Sequence, residues 1–353
     1  MAKSKNTVKT VKAAKNLHKK NPKLFYAIAA LVVVAVIVTG VLYYLKPELF
    51  KGPMPAEGEL TVYFLDVGQG DCIYIAFPDG KDMLIDCGSE KGTNKYLESS
   101  QSDLKSLVTD GQIDYLMATH SDTDHVSYLD EVLETYEVKN VYLPFVRASA
   151  ESKAEAIAAL PQEKLAKFTD PDTIGTVVYA EFFIAALSEP DCNVYTNVGV
   201  FDISGEGYKL TFYCLDEEYF ADSNLKSPEK INAVSPIGIL EYAGRRIVFT
   251  GDSNEINEKE YCEKNYKKDC DVLKVAHHGS ETSSTADFLD MISCEYAVIS
   301  VGEGNSYGHP TAEALSRFEE KNMQVYRTDQ NGNVILKVKN TGDMTFDCEK
   351  AVA

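Results

Sequence analysis

Paired cysteines and internal repeats are missing from this sequence of 353 residues, as are basic clusters past its N-terminal segment, and the absences narrow its chemistry. Eight cysteines occur (Cys72, Cys87, Cys192, Cys214, Cys262, Cys270, Cys294, Cys348), but no two form a C-x-x-C pair, which argues against a zinc knuckle. Cys262 and Cys270 are a candidate local disulfide, and buried thiols account for the set equally well. Past the N-terminal segment, basic residues cluster only in short pairs such as Arg245-Arg246 and Lys267-Lys268, so no positive run marks a groove for a nucleic-acid backbone. Histidine is sparse too, with six in the chain and none between His125 and His277.

Acid is absent from the first 46 residues, which hold nine lysines. The whole chain has 35 basic and 54 acidic residues, so residues 47–353 carry the remaining 26 basic against all 54 acidic ones. Residues 24–45 (LFYAIAALVVVAVIVTGVLYYL) contain no charge, and a helix of about 20 such residues crosses a bilayer. No A-x-A pattern closes this stretch, which argues against a cleaved signal peptide. Lysines are concentrated before it, so the positive-inside rule puts residues 1–23 in the cytoplasm as a basic tail. The sequence therefore predicts a single-pass plasma-membrane protein with an extracytoplasmic domain over residues 60–353. Residues 46–59, rich in proline and glycine, form the linker.

Within that domain, alternating and apolar runs at 61–67, 71–77 and 83–86 predict a strand meander, followed by a helix at 94–108. Strands at 114–118 and 138–143 flank a helix at 126–136. A further helix is expected at 150–168, and strand content at 176–180. A second strand series (198–202, 209–214, 236–242, 245–250) precedes helices at 255–264, 285–292 and 311–321, which alternate with strands at 272–275, 296–301 and 324–327. A hairpin of 334–338 and 343–347 ends the pattern. The expected class is α/β, with two packed sheets covered by helices.

Three polar clusters follow directly on apolar runs: Thr119 to His125, Gly251-Asp252, and His277 to Ser280. They contain four of the six histidines, beside carboxylates. Ligands at strand ends are held rigidly while one face stays open, as a metal-bound hydrolytic centre requires.

With FLDVGQGDC (64–72), LIDCG (84–88), THSDTDH (119–125), FTGD (249–252), LKVAHHGS (273–280) and NSYGHP (305–310), the chain resembles the metallo-β-lactamase superfamily, in particular the hydrolase domain of ComEC-type competence proteins. The resemblance implies an αββα sandwich with one or two divalent ions at an edge between the sheets. In the family signature H-x-H-x-D-H, Asp122 replaces the second histidine. By this resemblance, His120 and Asp122 serve a first ion, Asp124 and His125 a second, and Asp252 bridges them. His278 is favoured over His277 to complete the second site. Asn232 stands about where the first site's third histidine would be. A site with more oxygen ligands favours manganese or magnesium relative to zinc.

Water activated by the ions would attack a phosphorus or carbonyl centre, with Asp124 orienting it. His277 and His309 are candidates for proton transfer or phosphate contact, although His309 also suits a helix cap. Ser280 and Asn305 are candidate substrate donors. The Gly68-Gln69-Gly70 turn is either an anion-binding element or a plain tight turn. Ser127-Tyr128 replaces a common Gly-Gly pair, which would narrow the pocket. The expected substrate is a phosphodiester: DNA, in a competence-related role beside a separate channel protein, or an envelope polymer of the teichoic-acid type. A metal-stabilised, non-catalytic binding protein is the alternative from another class.

Overall fold

Strand β2 (Cys72–Ala76) shows how the layers are built, because every one of its side chains is buried. Side chains alternate between the two faces of a strand. Ile73 and Ile75 accordingly enter a core shared with the second half of the chain, while Cys72, Tyr74 and Ala76 enter a different core lined by helices. Burial on both faces means that this strand lies inside a layered structure.

The computed structural model describes residues 58–90, 94–143, 177–196, 199–215 and 228–350, together with Pro22–Leu24 and Tyr26. The chain divides at Gly52 and Pro53, and the C-terminal unit carries everything described below. Its first sheet has eight strands in the order β15-β14-β1-β2-β3-β4-β5-β6. These are β1 (Glu59–Phe64), β2, β3 (Asp82–Cys87), β4 (Gln112–Met117), β5 (Glu137–Leu143), β6 (Asn193–Thr196), β14 (Val334–Lys339) and β15 (Met344–Cys348). Its second sheet has seven strands in the order β13-β12-β11-β10-β9-β8-β7. These are β7 (Phe201–Ser204), β8 (Tyr208–Tyr213), β9 (Ile237–Tyr242), β10 (Arg245–Phe249), β11 (Val272–Lys274), β12 (Tyr296–Ile299) and β13 (Gln324–Arg327).

Three cores define four layers. Phe64, Ile85 and Met117 of the first sheet meet Leu240, Phe249 and Val272 of the second in the central one. Helices Leu129–Thr135 and Val177–Ser188 cover the outer face of the first sheet, and helices Glu255–Lys264, Ala286–Ile292 and Ala312–Glu320 cover that of the second. The result is an α/β sandwich in the order helix, sheet, sheet, helix. Strands β3 to β6 run parallel, as do β10 to β13. In such sheets ligands bind beyond the carboxyl ends of the strands.

Several expectations are corrected. Of the stretch 176–180, expected as strand, the described residues 177–180 belong to helix Val177–Ser188. Tyr179, Phe182, Phe183, Ala186 and Leu187 are buried there at helical spacing, and a run apolar on nearly all sides hides its period from a strand-or-helix reading. The helix expected at 126–136 is instead a single turn, Thr123–Val126, followed by Leu129–Thr135. Ser127 interrupts it: its hydroxyl accepts from Ser89 N–H (2.9 Å) and donates to Ser89 C=O (3.1 Å). All eight cysteines are free thiols. Cys270 Sγ faces the Lys268 carbonyl, whereas Cys72 and Cys87 approach across adjacent strands to 3.2 Å. The helix expected at 150–168 lies outside the described residues, as does the candidate span 24–45 apart from Leu24 and Tyr26. Among the described residues, no helix is long and apolar enough to cross a membrane.

One pair of carboxylates away from the strand ends also shapes stability. Asp82 Oδ1 accepts from Asp114 N–H (2.8 Å), Asp114 Oδ2 accepts from Asp82 N–H (3.2 Å), and Tyr74 OH donates to Asp82 (2.7 Å). Burial raises Asp82 to about 7, against the hydrogen bonds from Asp114 N–H and Tyr74 OH that favour its charged form. A carboxyl whose pKa is raised by folding adds stability below its unfolded pKa, and this is lost as pH climbs through the folded value. The loss is on the order of 4 kcal/mol. Asp82→Asn imitates the neutral form, so the melting temperature of the parent should fall relative to that variant between about pH 4 and pH 7. Parallel curves across that range would remove Asp82 as the cause.

Candidate metal centre

Strand ends from both sheets supply the site. His120 lies just past β4, Asp252 past β10, His277 and His278 past β11, and the Thr123–Val126 turn carries Asp124 and His125. Backbones approach so closely beneath it that no side chain fits between them. A Cβ on Gly70 would stand 2.3 Å from the Gly88 carbonyl oxygen and 2.4 Å from that of Asp124. One on Gly88 would stand 2.5 Å from the backbone nitrogen of His125. These glycines seat the Asp124-His125 pair directly on the loops after β1 and β3. At the next loop, His277 and His278 both adopt left-handed backbone (φ 49° and 53°). Such conformations cost roughly 1–3 kcal/mol each and concentrate at functional sites.

Three imidazoles are anchored through Nδ1. His125 Nδ1 lies 2.8 Å from Asp86 Oδ2, and His278 Nδ1 lies 2.8 Å from the Ser300 carbonyl. His120 Nδ1 lies 3.1 Å from Thr119 Oγ1, which itself donates to Asp86 at 2.7 Å, and 3.3 Å from Ser235 Oγ. With Nδ1 as the donor in each ring, Nε2 keeps a free lone pair. Each Nε2 is buried without a hydrogen-bond partner, as are Asp252 Oδ1 and Asn232 Oδ1. Buried polar atoms are normally satisfied, so orphans converging on one point fit a cation.

Asp252 organises that point. Its Oδ1 lies 3.1 Å from His125 Nε2 and 3.7 Å from His278 Nε2. Its Oδ2 lies 3.7 Å from both His120 Nε2 and His277 Nε2. Two groups therefore have metal-site spacing, His120–His125–Asp252 and Asp124–His125–His278. Asp124 Oδ2 lies 3.4 Å from His278 Nε2, and Asp122 Oδ2 lies 3.7 Å from His120 Nε2; both carboxylates are partly exposed. His277, also partly exposed, stands on the His120 side, where its ring nitrogens lie 3.3 and 3.4 Å from Asn232 Nδ2. Spacing alone does not disclose this placement of a third imidazole.

Electrostatics fit the same use. Burial and the His125 charge lower His120 to about 4. Burial also disfavours charge on His125, but Asp252 and Asp86 outweigh it and hold that ring well above the ordinary imidazole range. Burial, Asp124 and Asp252 raise Asp122 to about 6. The centre is thus a nest of carboxylates in which His125 and His278 hold protons that a divalent ion would displace.

Other anticipated residues are placed differently. Asn305 is committed to its own loop: Nδ2 donates to the carbonyls of Gly302 and His309, and Oδ1 accepts from the N–H of Tyr307 and His309. Gln69 Oε1 accepts from Gly302 N–H (3.2 Å), and Ser280 Oγ lies 3.0 Å from Thr282 Oγ1. The structure does not bring the side chains of Gln69, Ser280 or Asn305 into the ligand cluster. His309 faces His277 edge-on at 5.4 Å between ring centroids, with Nδ1 buried and unpartnered. The helix after it is capped by Thr311, not by His309. Asp71, Asp86, Ser235 and Ser300, which with Thr119 line the back of the centre, are not singled out by the sequence. Asp71 and Asp86 do lie inside the quoted motifs, and their position at strand ends was the available signal.

The model of the metallo-beta-lactamase superfamily matches residues 65–205 and 235–303. ComE operon protein 3 of Bacillus subtilis is 27% identical over 299 residues, covering 81% of this chain and 34% of that protein. Competence protein ComA of Neisseria gonorrhoeae is 31% identical over 149 residues, covering 38% of this chain and 21% of that protein. The chain thus spans about a third or less of these relatives. Among solved structures, the metallo-beta-lactamase fold protein YhfI from Bacillus subtilis is 11% identical with a TM-score of 0.44, covering 82% of this chain and 100% of that one.

Two substitutions test the scaffold. Asp86→Asn should weaken metal binding by about 10- to 100-fold in a chelator competition, the usual cost of losing a partner behind a ligand. An unchanged affinity would show that Asp86 does not orient His125. Gly88→Ala forces the Asp124-His125 backbone away, so it should lower the melting temperature and metal affinity together; a variant matching the parent in both would contradict the close approach.

Proposed function

The chain belongs to the metallo-beta-lactamase superfamily, and from that premise we propose that it is a metal-dependent hydrolase of phosphodiesters. The observation that carries this reading is the convergence of three anchored, unpartnered Nε2 atoms on the two oxygens of Asp252, with Asp122, Asp124 and His277 partly exposed on the open side. His120, Asp122 and His277 would hold one divalent ion and Asp124, His125 and His278 another, with Asp252 between them and Asn232 beside the first. Such ions polarise a phosphoryl oxygen and lower the pKa of a water molecule toward neutrality. Asp124 orients the attacking water. His309, edge to face with His277 at the rim, would contact the phosphate or pass a proton to the leaving oxygen.

The resemblance to competence proteins implies nucleic acid as the substrate, and the sequence of residues 24–45 supports a domain that is anchored there and faces outward. A specific observation favours a second reading. The excess of acid over base makes a long polyanion a poor partner, and a small envelope phosphodiester needs no basic groove. Both readings share the bond that is broken.

The full chain, loaded with manganese or zinc, should hydrolyse a chromogenic phosphodiester, and Asp124→Asn should lower kcat by about 10²- to 10⁴-fold without loss of fold. A folded, metal-loaded parent with no turnover would overturn the reading, as would an equally active variant. Given turnover, DNA and teichoic-acid fragments compared at equal phosphate concentration separate the two substrate classes.

A further inference from the structure

Cys72 and Cys87 sit side by side on β2 and β3, where they are register partners. The backbone bonds around them decide what kind of pair they make. The Cys72 carbonyl accepts from Leu65 N–H (3.0 Å) and that of Cys87 from Tyr128 N–H (2.9 Å), while Gly88 N–H donates to the Asp71 carbonyl (3.0 Å). Neither cysteine gives its carbonyl to the other, so they form a non-hydrogen-bonded antiparallel pair. Such pairs hold their Cα atoms about 4.5 Å apart with the side chains drawn together, inside the range that a disulfide spans. The sulfurs accordingly approach to 3.2 Å, roughly 1 Å beyond an S–S bond length.

The pair closes a bulge. Beyond it the register slips by one residue, since Ile73 faces Ile85, and Asp86 is the residue left over, in left-handed backbone at φ 56°. A bulge of this kind re-aims a side chain, and here it turns the Asp86 carboxylate to Thr119 and His125. Each cysteine directly follows a buried aspartate at the rear of the metal centre. Both thiols are buried in the core between the first sheet and its helices, and burial together with the Cys87 thiol pushes the Cys72 thiol well above its usual range. Buried thiols are inert, so a bond between these two forms before helices cover β2 and β3. A separation of only 15 residues along the chain allows that order of events.

We propose that Cys72 and Cys87 are a disulfide site, linked while β2 and β3 are still open to solvent, and that the bond pins the bulge that presents Asp86. The oxidant is a low-molecular-weight disulfide such as glutathione disulfide. One cysteine thiolate attacks it and expels a glutathione thiolate, and the second cysteine thiolate then displaces the other glutathione. The protein loses two electrons and two protons, and the oxidant leaves as two thiols. An outward-facing domain would meet such oxidants. The crosslink restricts the unfolded chain and so stabilises the folded one, at the rear of the centre and away from its open face.

For the test, the full chain is synthesised in a cell-free system with detergent and manganese, either in a glutathione redox buffer or under a phosphine reductant. Free thiols are alkylated in denaturant, and tryptic peptides are read by mass spectrometry. Cleavage after Lys51, Lys81 and Lys91 separates the two cysteines, so the bond joins peptides 52–81 and 82–91. The oxidised chain should yield that joined pair, lost on reduction, and should melt several degrees above the reduced chain. Cys72→Ala combined with Cys87→Ala should cancel the difference in melting temperature, which separates this bond from one made elsewhere. A folded, oxidised chain in which Cys72 and Cys87 are recovered alkylated, or joined to other thiols, would overturn the proposal, and the peptide map of the parent decides this even if the variant does not fold. So would a double variant that keeps the difference. A linked chain that melts lower or binds manganese more weakly than the reduced one counts against it too, because the bond would then distort the bulge instead of pinning it. Activity is not read, so a parent that fails to hydrolyse phosphodiesters leaves this comparison intact.

Discussion

The carboxylate of Asp86 is the contact on which the centre depends. From the end of β3 it accepts hydrogen bonds from both the backbone N–H and the hydroxyl of Thr119 (each 2.7 Å) and binds Nδ1 of His125 at 2.8 Å. Thr119 in turn reaches His120, so one buried anion fixes the orientation of two imidazoles. Asp86 does this from left-handed backbone, φ 56°, at a conformational cost that the surrounding contacts offset. Neighbouring parallel strands β3 and β4 bring the carboxylate and the imidazoles together, so the sheet topology is itself part of the site.

Much of this arrangement was legible because periodicity and strand ends leave plain marks. The helix at 255–264 and the strand at 324–327 agree with the structure to the residue, since turn and capping residues bracket clear runs. The stretch 177–188 was not legible, because a nearly continuous apolar run has no polar face from which to read a period. Within the site, residue type and spacing single out His120, His125, Asp252 and the His277-His278 pair, which the structure brings into one cluster. Spacing does not reveal that Asp252 turns one oxygen to each pair of rings, or that His277 joins His120. Those relations depend on how two sheets face each other. Asn305 shows the converse: a polar side chain in a conspicuous motif has all its hydrogen-bonding capacity taken by its own loop, which only coordinates disclose.

The division of labour between back and front has a physical logic. At the back, every polar atom that orients a ligand is buried, in surroundings where charge and hydrogen bonds act strongly. At the front, Asp122, Asp124 and His277 keep access to solvent. Rigid support combined with an open face is what hydrolytic metal sites share.

The hairpin β14–β15 joins the first sheet beside β1, pairing Glu59 with Lys339 and Phe64 with Val334. A nascent chain leaves the ribosome from its N-terminus, so every ligand up to His278 is synthesised before the strand that completes β1 exists. Contacts this distant in sequence slow folding and leave edges exposed in the interval. During translation, then, β1 presents a bare edge to chaperones and to other chains until Val334–Lys339 have emerged.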